Sequence, residues 1–126
     1  MKLQVKRFDS PDEKRDFELG RFELLQAGGT RLGRACYQPG WKWSEHVGAA
    51  LGQKSCPVDH VGYVLAGRAA VRMDDGTEIE LREGDLFSIP AGHDSWVVGD
   101  QPYLSLHLVG ADEYAVGSEG SPGAAG

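Results

Sequence analysis

From residue 21 onward, short apolar runs alternate with clusters of turn-forming residues. The runs are RFELLQA (21–27), RLGRACYQ (31–38), VGYVLAG (61–67), AAVRM (69–73), TEIEL (77–81), DLFSIP (85–90), SWVVG (95–99) and YLSLHLVG (103–110). Between them stand GGT, PGW, DDG, REGD, PAGHD and GDQP, which supply positive or fixed φ angles. AAVRMDDGTEIEL is the clearest unit. Val71, Met73, Ile79 and Leu81 alternate with Arg72, Glu78 and Glu80 about an Asp75-Gly76 turn, which predicts a hairpin with one buried and one wet face. About eight short strands at this spacing predict an all-β sandwich or barrel. Ahead of them, SPDEKRDFELG (10–20) is polar with a Ser-Pro start and reads as either one helical turn or a loop. Residues 115–126, AVGSEGSPGAAG, read as a flexible tail.

The 126 residues suit one domain with a real core, and 40% hydrophobic and 25% charged residues are an ordinary globular mix. The 18 glycines and 6 prolines favour frequent turns over long helices. The net charge of −6 argues against a nucleic-acid binder, because neutralising phosphates needs a basic face. No apolar stretch reaches the ~18 residues of a membrane span. The N-terminal MKLQVKRFDSP lacks the apolar segment of a secretory signal. A cytoplasmic protein is therefore expected, with Cys36 and Cys56 as free thiols and Cys36 as buried packing.

Candidate chemistry gathers around the four histidines, His46, His60, His93 and His107. Cys56 and His60 stand four apart and share a face if the chain there is extended. They are either metal ligands, since thiolate and imidazole bind Zn, Fe and Ni well, or an ordinary buried pair. No nucleophile elbow, phosphate-binding loop or Cys-x-x-Cys pair is present.

The order of the pieces resembles the cupin superfamily, whose first motif is G-x5-H-x-H-x3,4-E-x6-G and whose second is G-x5-P-x-G-x2-H-x3-N. Gly40 and His46 match the opening of the first motif, and GDLFSIPAG (84–92) matches the opening of the second. His60 precedes Gly67 by the spacing of the motif's glutamate. The departures are Gly48 at the second histidine, Ser95 at the histidine of the second motif and Gly99 at its asparagine. With the motif's three-residue spacer counted back from His60, Cys56 falls where the missing histidine would sit. His93 lies two residues before Ser95, a shift that preserves side-chain direction in a strand.

The resemblance implies a double-stranded β-helix (jelly-roll) barrel over residues 33–112, an N-terminal arm of strands over 1–32 able to complete a partner's sheet, and a tail over 113–126. It implies a divalent transition metal (Fe, Zn, Ni or Mn) held by His46, Cys56, His60 and His93. Asp94, Ser95, Trp43 and His107 would stand behind the ligands or line the pocket. The partners implied are a small organic molecule and a second copy of the chain. The chemistry would be that of a dioxygenase, isomerase or lyase; the alternative is a metal-free binding or sensing barrel.

Overall fold

The computed structural model describes residues 2–109; the tail expected over 113–126 lies outside the described residues. Nine strands form: β1 (Glu13–Phe17), β2 (Gly20–Ala27), β3 (Thr30–Tyr37), β4 (His60–Ala66), β5 (Arg68–Met73), β6 (Glu78–Arg82), β7 (Leu86–Ile89), β8 (His93–Val98) and β9 (Tyr103–Val109). They make two antiparallel sheets. One has the order β1-β2-β3-β9-β4-β7 and the other β6-β5-β8. The core between them contains Phe22, Leu24, Ala35, Val64, Val71, Leu81, Phe87 and Val97. Among the described residues no helix is long and apolar enough to cross a membrane.

The eight apolar runs all become strands, because alternation buries one face of each. The hairpin of β5 and β6 forms in the register Val71↔Ile79. Arg72 pairs with Glu78 across its wet face at 2.9 Å. Ile79 itself is 50% exposed, because β6 is the edge of its sheet and is covered there on one side only.

Segment 10–20 is neither helix nor plain loop. Residues Glu13–Phe17 pair with β2 around a tight turn in which Leu19 takes a φ of 61°. The Asp16 carboxylate accepts from Arg21 at 2.8 Å across the hairpin, and Phe17 packs against Tyr37 and Trp41. The polar composition that suggested a loop belongs to an edge strand, which has little to bury. The N-terminal strands extend the chain's own sheet, and the boundary expected after residue 32 falls inside β3.

The Trp41–Leu51 region coils. A π-helical turn spans Ser44–Gly48 and one α-helical turn spans Ala49–Leu51. Asp94, from β8, fastens the start of this coil by accepting from the Ser44 backbone N–H at 3.0 Å and the Ser44 hydroxyl at 2.8 Å. Cys36 is half-exposed on the outer face of β3, since Ala35 and Tyr37 take the inward positions, so the expectation of a buried thiol is corrected.

Candidate metal centre

Four buried side chains meet between the two sheets. His60 opens β4, and His107 lies beside it on β9 through the register Gly62↔His107. His93 opens β8 in the opposite sheet. Cys56 comes from the loop before β4, whose backbone bridges to His93. The rings of His60 and His93 are 5.4 Å apart between centroids, as are those of His60 and His107. Cys56 Sγ lies 3.5 Å from His60 Nε2.

Cys56, His60 and His93 each offer one ligand atom, and these atoms all lie within 4.8 Å of one another. Ligand atoms bound tetrahedrally at ~2.0–2.3 Å stand ~3.3–3.7 Å apart, a separation that Cys56 Sγ and His60 Nε2 already have at 3.5 Å. Sharing one centre asks the three donors to close by about 1 Å at most. His93 is also held in the orientation a ligand requires. Its Nδ1 is 2.8 Å from the Pro90 carbonyl, which can only accept, so Nδ1 carries the proton and Nε2 keeps its lone pair.

Burial sets the charge state. It pushes His60 down to about 2, with repulsion from His107 and His93 adding to the effect. His107 falls to about 4 through burial alone. His93 is also lowered by burial, partly opposed by its bond to Pro90. All three imidazoles are thus neutral near pH 7, the form that binds cations. Burial pushes the Cys56 thiol up to about 12. A bound cation would reverse that preference and expel the thiol proton. The donor set and its geometry fit a divalent transition metal.

The structure does not bring His46 to this group. The group of donors consists of Cys56, His60 and His93, and the π-helical turn over Ser44–Gly48 carries His46. Its Nδ1 accepts from the Lys42 backbone N–H at 3.0 Å, and its Nε2 faces Glu18 at 3.7 Å. Asp94 likewise serves the coil, bonding Ser44 and the Ser95 N–H rather than His93. Ser95, Trp43 and His107 do line the central cavity. Gly48, where the motif has a histidine, is buried against the six-membered ring of Trp43. A Cβ there would overlap that ring and the Gln53 carbonyl.

The cavity holds about 40 Å³, room for about three waters. Tyr103 and Trp41 also line it, and neither stands among the site residues expected from the sequence. The signal for Tyr103 was its period-two spacing with Ser105 and His107. On β9 these three form a polar column. Ser105 Oγ is 3.0 Å from His107 Nε2, and the Tyr103 hydroxyl bonds Ser105. Burial raises Tyr103 to about 12, so its phenol keeps its proton.

The sequence profile of the cupin domain matches residues 34–109, most of the described chain. The chain is a cupin. Among curated proteins none matches this cupin's sequence. Its fold is similar to that of a protein of unknown function from Rhizobium leguminosarum, at 19% identity and a TM-score of 0.61, covering 86% of this chain and 97% of that one. It is similar to a cupin-2 domain from Rhodospirillum rubrum, at 18% identity and a TM-score of 0.55, covering 94% and 70%. It is also similar to an oxalate decarboxylase from Bacillus subtilis, at 18% identity and a TM-score of 0.56, covering 82% of this cupin but only 29% of that chain. At these identities the likeness establishes the jelly-roll barrel alone. The expected fold is thereby found.

Proposed function

We propose that this cupin holds a divalent transition metal through Cys56, His60 and His93 and presents it to a small organic molecule in the barrel cavity. The single observation that carries this is the meeting of three buried donors within 4.8 Å, one of them pre-oriented by Pro90. Three protein ligands leave positions open, the arrangement of a working site rather than a closed structural one. The soft Cys56 donor favours Zn, Fe or Ni over Mn. A bound ion supplies a Lewis acid that polarises a ligand oxygen or a bound water. The chain's own residues do the rest. Pro90 fixes the His93 ring, the apolar walls exclude bulk water, and His107 and Ser105 place a polar edge beside His60. Turnover of the bound molecule, by dioxygenase, isomerase or lyase chemistry, belongs to the same proposal.

Two partner assignments go with it. The outer face around Tyr63, Leu65, Leu86 and Leu108 is apolar and exposed beside the edge strand β7, which suits a homodimer and is checked by analytical ultracentrifugation. The free thiols of Cys36 and Cys56 suit the reducing cytoplasm.

The test is metal analysis of untagged protein beside the variants Cys56→Ala, His60→Ala and His93→Ala. One equivalent of metal in the parent, lost in the folded variants, is the expected result. A folded parent that takes up no Zn, Fe or Ni overturns the proposal and leaves a metal-free binding barrel.

A further inference from the structure

The inward side of β9 is polar, although it faces a cavity whose other strands contribute Val71, Leu81, Phe87 and Ile89. Tyr103, Ser105 and His107 are buried and alternate with the more exposed Leu104, Leu106 and Leu108. Buried hydroxyls and imidazoles cost free energy unless they are bonded, so apolar side chains would stand there more easily. These three groups satisfy one another instead. The Tyr103 hydroxyl bonds Ser105, and Ser105 Oγ is 3.0 Å from His107 Nε2.

The direction of this chain follows from its outer end. A buried phenol needs an acceptor for its proton, and among the described residues Ser105 is the hydrogen-bond partner of Tyr103. Tyr103 therefore donates to Ser105, and Ser105 donates to His107 Nε2. Neutral His107 then carries its own proton on Nδ1.

His93 and His107 make a contrast. Each ring stands 5.4 Å from that of His60 between centroids. His93 belongs to the group of donors within 4.8 Å, and His107 does not. The Pro90 carbonyl takes the Nδ1 proton of His93 and leaves its Nε2 lone pair available, whereas Ser105 occupies that lone pair in His107. Packing does not make the difference. Phe22 and Phe87 meet the His107 ring edge to face at 5.4 and 5.7 Å. A half-turn about Cβ–Cγ keeps the ring in its plane, so such contacts restrain the plane more than the choice of nitrogen. The Ser105 hydroxyl makes that choice.

We infer that Ser105 is a positioning residue that keeps the metal centre open: by occupying His107 Nε2 it holds a fourth imidazole out of the coordination shell of Cys56, His60 and His93. This rests on the metal reading proposed above. Three protein ligands leave an exchangeable position, while a cysteine with three histidines would close a tetrahedral shell. One hydroxyl thus separates a site that can receive a ligand from one that only holds an ion.

The experiment uses the untagged full-length protein. In the metal-free parent, ring ¹⁵N spectra are expected to show His107 neutral with its proton on Nδ1, and Ser105→Ala is expected to move the Nε2 signal. A proton on Nε2 in the parent overturns the inference, because Nδ1 would then offer its lone pair to a metal. Co(II) next serves as the probe metal and azide as the probe of the open position, a linear ion short enough for a cavity with room for about three waters. Azide is expected to change the visible Co(II) spectrum of the parent saturably. In Ser105→Ala one equivalent of Co(II) stays bound and the azide response is lost. The response returns in Ser105→Ala/His107→Phe, which has no fourth imidazole to recruit, and it survives in Ser105→Thr, which keeps the hydroxyl. A Co(II)-loaded Ser105→Ala that still answers azide overturns the inference, as does a folded double variant that stays silent. A parent that takes up no Co(II) defeats the metal reading and this one with it. A loaded parent whose azide response is indifferent to Ser105→Ala defeats this one alone.

Discussion

The Cys56 N–H donates to the His93 carbonyl at 2.6 Å, and the Gly92 N–H donates to the Cys56 carbonyl at 2.7 Å. Two residues 37 positions apart are thereby locked side by side. This bridge holds a loop residue at the mouth of β8 and lets a thiol stand beside two imidazoles that belong to opposite sheets.

Metal binding should therefore stabilise the fold as a whole, because its donors tie β4, β8 and the intervening loop. Treating the metal-loaded protein with EDTA is expected to lower Tm by about 15 °C. That follows from about 4 kcal/mol of linkage at metal concentrations near a thousand times Kd. Differential scanning calorimetry reads the shift. An unchanged Tm after verified metal removal would contradict a site spanning both sheets.

The metal-free protein should be stable only in a middle pH window. His60, His93 and His107 have folded pKa values below the unfolded value near 6.5, so the unfolded chain binds more protons as pH falls. Stability is lost progressively below about 6.5. For His107, between there and about 4, the loss is about 3 kcal/mol. On the alkaline side Cys56 and Tyr103 are raised to about 12, so their contribution is full below their unfolded values and fades as pH climbs towards 12. Urea midpoints across pH 4 to 11 should trace a dome. A flat acid limb would mean that the imidazoles are not held neutral by burial.

His46→Ala should keep the metal. The ring bonds Lys42 and faces the exposed Glu18, so its loss is worth about 1 kcal/mol or less of stability. Metal stoichiometry is the discriminating measurement. Loss of the ion in this variant would mean that the coil over residues 44–51 opens to bring His46 inward.

Asp94→Ala should cost about 2 kcal/mol, because it strips charged acceptors from the Ser44 N–H and hydroxyl and from the Ser95 N–H. Metal content should hold at its parent level. A metal deficit as deep as that of His93→Ala would move Asp94 from the coil to the site.

Gly48→Ala should destabilise by about 1–3 kcal/mol, since its Cβ has no room beside the Trp43 ring and the Gln53 carbonyl. Tryptophan fluorescence should shift as Trp43 is displaced. Parent-like stability and emission together would show that the coil relaxes freely around position 48.

The chain alone determined a great deal. Period-two alternation marked eight strands, because one face of each must leave water, although Ile79 on the edge strand β6 stays half-exposed. Cys56, His60 and His93 were legible as ligand-type residues near motif positions. β1 was not legible, since a polar edge strand buries too little to leave an apolar signature. Tertiary structure decided the rest. Asp94, fifty residues away, fastens the coil over 44–51, so no local pattern could reveal that His46 stays apart from the other donors. The convergence of Cys56 with His93, and of His107 with His60, follows from backbone pairing between distant segments, which spacing along a sequence does not encode.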